Sequence, residues 1–115
     1  MKKLFIAVVS VLALASCGTV QPDLYSWYNS EDATYQYTKR ASDEKLAAAM
    51  AQYKMVINNQ KGTRQVAPPG VNAEYGYLLV KSGQKQEGLT LLKQEVALYP
   101  ESEKFISRII KQLEK

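Results

Sequence analysis

Carboxylates are the side chains of this sequence that could carry acid–base chemistry, because a suitably placed pair can hydrolyse a glycosidic bond. The chain has no histidine and one cysteine, which excludes Ser-His-Asp and Cys-His nucleophile pairs, an HExxH zinc site and an intramolecular disulfide. Most acids stand at predicted helix starts or on polar faces, where solvation accounts for them. They are Glu31, Asp32, Asp43, Glu44, Glu74, Glu87, Glu95, Glu101 and Glu103. We therefore predict no enzyme, catalytic residue, metal, cofactor or small-molecule substrate; a cell-wall glycan-acting enzyme is the minor alternative.

The single cysteine, Cys17, follows a basic and then apolar amino terminus. Met1-Lys2-Lys3 precedes a nearly all apolar run over residues 4–15, which has the order of an export signal but is shorter than the roughly 20 residues that span a membrane. The tetrapeptide Leu14-Ala15-Ser16-Cys17 resembles the lipobox of bacterial lipoproteins. That resemblance implies that residues 1–16 are removed, that the Cys17 thiol carries a diacylglycerol and that the new amino group is acylated. The alternative is an ordinary secreted protein in which Cys17 is a small buried residue.

Residues 17–23 would then be the lipidated cysteine and a polar tether, which reaches about 20 Å when extended. Gly18 stands where inner-membrane lipoproteins of enterobacteria commonly have aspartate, so the resemblance implies the outer membrane, facing the periplasm. Loss of Lys2 and Lys3 with the signal lowers the net charge from +4 to about +2. Since no basic run interleaved with aromatic residues is present either, we expect no nucleic-acid partner.

The mature chain predicts an all-α domain over residues 24–115. Apolar residues at helical spacing indicate helices near 29–39, at 43–60, at 71–82 and at 85–98, and a last helix that opens at Pro100. Ser42 is a predicted helix cap and Gly62 a predicted terminator, and a loop of about eight residues containing Pro68-Pro69-Gly70 follows. The last helix is amphipathic, which indicates that it covers the preceding hairpin with one apolar face; a free membrane-surface helix is the alternative. This face consists of Phe105, Ile106, Ile109, Ile110 and Leu113.

The two helices on either side of Gly83 resemble one tetratricopeptide repeat. The resemblance rests on Gly76, Leu79, Gly83, Gly88, Leu92 and Pro100. Small residues at positions 76 and 88 would let the helix backbones approach, with the leucines between them. Glu95 departs from the pattern, because a small residue is preferred there. The expected architecture is a tetratricopeptide-like hairpin with flanking amphipathic helices, and any earlier hairpin is degenerate.

Aromatic residues supply the candidate partner contacts. Five of them, Tyr25, Trp27, Tyr28, Tyr35 and Tyr37, fall within residues 24–37. They predict either the rim of a small core or, because Trp and Tyr anchor interfaces, a patch facing a partner. Asn72, Tyr75 and Tyr77 lie on the helix that usually lines the groove of such a repeat, although core or rim packing is an equal interpretation of each tyrosine. Trp27, Asn72, Tyr75 and Tyr77 are thus the candidate binding residues.

Two further stretches carry a family resemblance. Leu24-Tyr25-Ser26-Trp27-Tyr28 and the residues from Pro68 to Leu79 resemble a family of small bacterial lipoproteins classed only as a domain of unknown function. Tyr28 departs from it, because the family has glycine after the tryptophan. Members resemble the middle partner of a lipoprotein trio that includes a curli-secretion-channel-like lipoprotein. The resemblance implies a scaffold or adaptor whose partners are the bilayer and other envelope lipoproteins or a secretion channel, with a pilotin-like chaperone as the alternative.

Overall fold

A computed structural model describes residues 18–115, and this part of the chain folds into α-helices with no strand. The all-α prediction is confirmed for the described residues. The helices are α1 (Ser30–Lys39), α2 (Asp43–Asn58), α3 (Val71–Lys81), α4 (Lys85–Leu98) and α5 (Glu103–Glu114), with a short 3-10 turn, Pro100–Ser102, before α5. Each helix lies against the next one along the chain, so α1 and α2 also form a helix pair, ahead of the pair formed by α3 and α4.

Local chemistry accounts for the helix boundaries. The Ser42 hydroxyl accepts a hydrogen bond from Lys45 N–H at 3.2 Å, which confirms the predicted cap of α2 and satisfies a free donor of its first turn. That helix ends at Asn58, two residues earlier than expected. The last helix begins later than expected, because the chain first makes a tighter turn in which Ser102 N–H donates to Tyr99 C=O at 2.9 Å.

Gly83 provides the turn between α3 and α4. It has a φ of +91°, a left-handed conformation that glycine adopts without steric cost. Its N–H donates to Val80 C=O at 3.1 Å, and Gln84 N–H donates to Leu79 C=O at 2.9 Å. These two hydrogen bonds form a Schellman motif, which satisfies carbonyls in the last turn of α3 and reverses the direction of the chain.

The backbones of α3 and α4 touch at two glycines, as predicted. A Cβ atom built on Gly76 would lie 2.6 Å from the Gly88 carbonyl oxygen, and one on Gly88 would lie 2.4 Å from that of Gly76. Leu79 and Leu92 are buried beside this contact. No side chain larger than hydrogen fits at either glycine unless the helices move apart.

Two apolar clusters join the helices. The first lies mainly between α2 and α3 and consists of Tyr53, Val56, Ala67, Val71, Tyr75 and Leu79. The second contains Leu89 and Leu92 from α4 and Ile106 from α5, with Ile109, Ile110 and Leu113 packed against it. Helix α5 therefore covers the hairpin, as expected. Phe105, which was expected on the same face, is instead 66% exposed.

The second half of the connection between α2 and α3 packs against the helices. Ala67 and Pro68 are buried, and the Ala67 carbonyl accepts a hydrogen bond from the Tyr99 hydroxyl at 2.7 Å. Gly70, with a φ of +93°, then precedes the first turn of α3. The connection thus sets the position at which α3 starts.

Candidate functional site

Trp27 belongs to a short stretch without regular secondary structure, residues 23–28, which we call the Trp27 segment. Its backbone is bonded to the residues that follow α2. Thr63 N–H donates to Asp23 C=O at 3.1 Å, and Arg64 N–H donates to Leu24 C=O at 3.2 Å. These bonds attach the start of the domain to a segment 40 positions away in the chain.

Ser26 makes the central contacts of the Trp27 segment. Its N–H donates to the Gln60 side-chain oxygen, its carbonyl accepts from Gln60 Nε2 at 3.2 Å, and its hydroxyl accepts from Lys61 N–H at 3.2 Å. Gln60 therefore pairs with both backbone polar groups of Ser26, as a neighbouring strand would. The pairing gives this part of the Trp27 segment a defined position against the residues that follow α2.

Gly62 makes this close pairing possible. A Cβ atom at this position would lie 2.3 Å from the Leu24 carbonyl oxygen and 2.4 Å from Tyr25 Cα. Gly62 was expected to terminate α2, but that helix ends four residues earlier, at Asn58. The hydrogen side chain of Gly62 leaves the space in which the Trp27 segment lies.

Trp27 itself is held at the surface. Its ring meets Tyr25 edge to face, with the ring centroids 6.4 Å apart, and its carbonyl accepts bonds from both the N–H and the hydroxyl of Ser30. The side chain is nevertheless 41% exposed. Trp27 is thus a partly exposed aromatic residue whose carbonyl is hydrogen-bonded and whose ring contacts Tyr25.

A cleft of about 190 Å³ lies beside Trp27. It brings together the Trp27 segment and the helices α1, α2 and α3. Its lining consists of Trp27, Ser30, Glu31, Thr34, Tyr53, Val71 and Glu74. The volume is below the roughly 300–1,000 Å³ of small-molecule pockets, so the cleft has room for a single side chain.

Tyr53 forms the floor of the cleft. Its hydroxyl donates to Glu74 Oε2 and accepts from the Thr34 hydroxyl at 2.8 Å, and its ring stacks on Tyr75 at a centroid distance of 6.3 Å. Burial, and then the hydrogen bond to Glu74, raise the pKa of Tyr53 to about 12. The phenol is therefore a neutral donor at physiological pH and occupies only one oxygen of the Glu74 carboxylate.

The raised pKa of Tyr53 predicts a loss of stability in alkali. The unfolded phenol loses its proton near pH 10, whereas the folded one keeps it until about pH 12, so the free energy of unfolding falls across this interval. We expect Tyr53→Phe to make the free energy of unfolding depend less on pH above pH 10. Near pH 8 it should lower that free energy by about 1 kcal/mol, because the hydrogen bonds of the phenol are lost. Urea unfolding at several pH values measures both effects. A wild-type free energy of unfolding that rises above pH 10 would contradict a raised pKa of Tyr53. Burial also raises the pKa values of Tyr75 and Tyr99, so these residues account for any pH dependence that remains in the Tyr53→Phe variant.

The structure separates the four predicted binding residues. Trp27 and Tyr77 are exposed, and Tyr77, 42% exposed, lies under the Lys81 ammonium group at 5.9 Å. Asn72 is completely buried and Tyr75 is 9% exposed. The expectation that these two side chains face a groove is therefore corrected: Asn72 is buried, and Tyr75 packs against Tyr53 in the core. Tyr77 does not line the cleft.

Glu95 also differs from its expectation. It was placed among solvated acids, but its side chain is 2% exposed. One carboxylate oxygen accepts a hydrogen bond from Gly70 N–H at 2.6 Å, which ties α4 to the residue preceding α3. The other oxygen and the Asn72 amide have no hydrogen-bond partner among the described residues. Glu95 takes the place of the small residue that the repeat pattern prefers and makes a bond that such a residue could not make.

The sequence pattern did not identify three residues of the cleft: Glu31, Tyr53 and Glu74. Both acids were expected at helix starts or on polar faces, where solvation accounts for them, and both are exposed in first helical turns. The sequence does not show that α1 and α3 begin on the same side of α2, and this arrangement brings their first turns together.

Residues 18–115 contain neither a membrane-spanning helix nor a cluster of metal ligands. Across residues 18–115, no helix combines the length and the apolar character needed to cross a bilayer. In the same range, metal-ligating side chains do not gather in groups of three or more. The predicted signal, residues 1–16, and the predicted lipidation site, Cys17, lie outside the described residues.

Comparison with known proteins gives one match. A family model described as "Domain of unknown function (DUF4810)" matches residues 24–109, which include all of the Trp27 segment except Asp23 and most of α5. No curated protein and no solved structure matches the chain.

Proposed function

Because the chain belongs to the family described as a domain of unknown function, DUF4810, we propose its function from the geometry of its surface. The protein is a lipid-anchored, non-enzymatic adaptor that binds other proteins of the bacterial envelope, in an outer-membrane or secretion-related assembly. Its helical hairpin is of the tetratricopeptide type. It acts through position and contact, with no covalent step.

The observation that carries this proposal is the fixed exposure of Trp27. Tryptophan side chains are common anchors of protein interfaces. A side chain whose backbone is already ordered loses less conformational entropy when a partner binds. The bonds of Ser26 to Gln60 and Lys61 provide that order, while the ring remains 41% exposed.

The amino terminus supports the anchoring part of the proposal. The apolar run, the lipobox and the glycine after Cys17 are what an outer-membrane lipoprotein requires. Residues 18–23 are exposed and belong to no helix, as a tether should be, and Asp23 is the first residue bonded to the domain. Two or three acyl chains on Cys17 would give stable attachment, and the Trp27 segment would start within about 20 Å of the lipid.

The hairpin supports the repeat part of the proposal. Close contact at Gly76 and Gly88, burial of Leu79 and Leu92, and the turn at Gly83 correspond to the roles that these positions have in a tetratricopeptide repeat. Helical hairpins of this type bind protein segments through side chains on their exposed faces. Tyr77 remains available for this role, whereas Asn72 and Tyr75 do not.

Photo-crosslinking in intact envelopes tests the adaptor proposal. A photoreactive phenylalanine derivative would replace Trp27 in one variant, Tyr77 in a second and, as a control on the exposed surface of α4, Lys93 in a third. We expect defined adducts with envelope proteins from position 27 and few from position 93. A channel subunit as the main adduct would favour the pilotin-like alternative. Equal adduct yields at all three positions would contradict a contact role for Trp27.

A further inference from the structure

The cleft beside Trp27 has a charge opposite to that of the protein as a whole. The chain has a net charge of +4, or about +2 without the predicted signal, whereas the charged residues that line the cleft, Glu31 and Glu74, are both acidic and both exposed. Tyr53 donates its proton to Glu74 Oε2, which leaves Oε1 as an acceptor. The cleft is therefore a local negative site in a basic protein.

The aromatic wall of the cleft suits a cation as well. A guanidinium or ammonium group is attracted to the face of an aromatic ring, most strongly to tryptophan. In this chain Lys39 covers the ring of Tyr35 at 5.8 Å, and Lys81 covers the ring of Tyr77 at 5.9 Å. Among residues 18–115 no cation covers Trp27 in this way. No lysine or arginine of the described residues therefore competes with an outside cation for the Trp27 ring.

The floor and side walls of the cleft limit what can enter. Val71 and the Tyr53 ring provide apolar surface that fits the methylene stem of a long side chain. The volume of about 190 Å³ accommodates one such side chain and no larger group. An apolar stem with a cationic end is the structure of lysine and arginine.

We infer that the cleft binds a lysine or arginine side chain of a partner protein, with its cationic end between Glu31 and Glu74 and against the Trp27 ring. The inference rests on the proposed adaptor function in one respect, since the cation belongs to the protein that the adaptor contacts. Charge complementarity is what selects this occupant. A charge-assisted hydrogen bond to either carboxylate is stronger than one between neutral groups.

The single tryptophan of the chain provides a direct test, because all tryptophan fluorescence comes from the wall of the cleft. The full chain would be titrated with acetyl-Gly-Lys-Gly-amide, with its arginine counterpart and with an uncharged norleucine counterpart. We expect a saturable change in emission with both cationic peptides, weakened by added salt, and none with norleucine. Glu31→Gln and Glu74→Gln should each weaken binding about fivefold, while Glu103→Gln, an exposed acid on α5, should leave it unchanged.

Several outcomes would overturn the inference. Norleucine peptide binding as tightly as lysine peptide would show that charge is irrelevant, and unchanged affinity in both glutamate variants would place the cation elsewhere. Glutamine at position 74 can still accept the Tyr53 hydrogen bond, and Glu31 makes none with Tyr53, so neither variant should fail for reasons of folding. Tighter binding of glycerophosphoethanolamine would assign the cleft to lipid headgroups and reject a protein side chain.

The inference and the adaptor proposal fail in different experiments. Peptide binding without envelope adducts at position 27 would reject the adaptor and retain a cation site. Envelope adducts without peptide binding would retain the adaptor and reject the cation site.

Discussion

Replacing Cys17 with alanine is expected to move the protein from the membrane fraction of the cell almost entirely to the soluble one. The proposed anchor is the set of acyl chains on this residue, and each buried methylene contributes about 0.8 kcal/mol to membrane binding. No helix among residues 18–115 could replace it as a membrane span. Cell fractionation measures the distribution, and mass spectrometry of the amino-terminal peptide should find a diacylglyceryl group on Cys17 of the wild type.

Gly18→Asp provides the matched control for the anchor. This variant keeps the cysteine and its lipid, so it should remain in membranes. The resemblance to enterobacterial lipoproteins implies that the aspartate moves it from the outer to the inner membrane. An unmodified Cys17 thiol on the mature wild-type protein would refute the lipoprotein proposal, and equal distribution of Gly18→Asp and wild type between the two membranes would refute the sorting part alone.

Gly88→Ala is expected to destabilise the domain strongly, although helix propensity alone predicts the opposite. Alanine in the middle of a helix is favoured over glycine by about 1 kcal/mol. At this position, however, the new Cβ would lie 2.4 Å from the Gly76 carbonyl oxygen and 2.5 Å from a Val80 methyl group. Separation of α3 and α4 would disturb the buried Leu79 and Leu92, so we expect a net loss of about 2–3 kcal/mol.

Thermal and urea unfolding measure this loss. For a domain of this size, 2–3 kcal/mol corresponds to a fall in melting temperature of roughly 10–20 °C. Gly76→Ala should behave similarly, since its Cβ would meet the Gly88 carbonyl oxygen at 2.6 Å. Lys93→Ala, on the exposed side of the same helix, should change the stability by less than about 0.5 kcal/mol. A Gly88→Ala variant as stable as the wild type would show that the two backbones do not touch in solution.

Features that depend on neighbouring residues could be predicted well from the sequence. The cap at Ser42, the turn at Gly83 and the close approach at Gly76 and Gly88 each follow from the properties of a few residues within one helix or one hairpin. The amphipathic pattern of α5 likewise indicated which face meets the hairpin, and Ile106 is buried there. Phe105, which the same pattern placed on that face, is instead 66% exposed and takes no part in the cluster with α4.

Features that depend on distant residues could not be predicted in this way. The sequence predicts Gly62 only as a helix terminator, because nothing near it in sequence indicates that the Leu24 backbone lies against it. Glu95 appeared to be a solvated acid, because its bond partner, Gly70 N–H, lies 25 positions away. Asn72 appeared to be a surface contact, because the burial of a helix face depends on the helices packed around it.

The sequence by itself determined an all-helical chain, the positions of its helices and the hairpin with two touching glycines, because hydrophobic periodicity, caps and turns act over a few residues. It also carries the basis of the proposed anchor, since a lipobox is a contiguous motif. Only the tertiary structure decided which acids and aromatic residues share a surface. Trp27 and Glu31 are close in sequence, but Tyr53 and Glu74 come from two other parts of the chain. They meet because hydrogen bonds and apolar packing bring the first turns of α1 and α3 to the same side of α2.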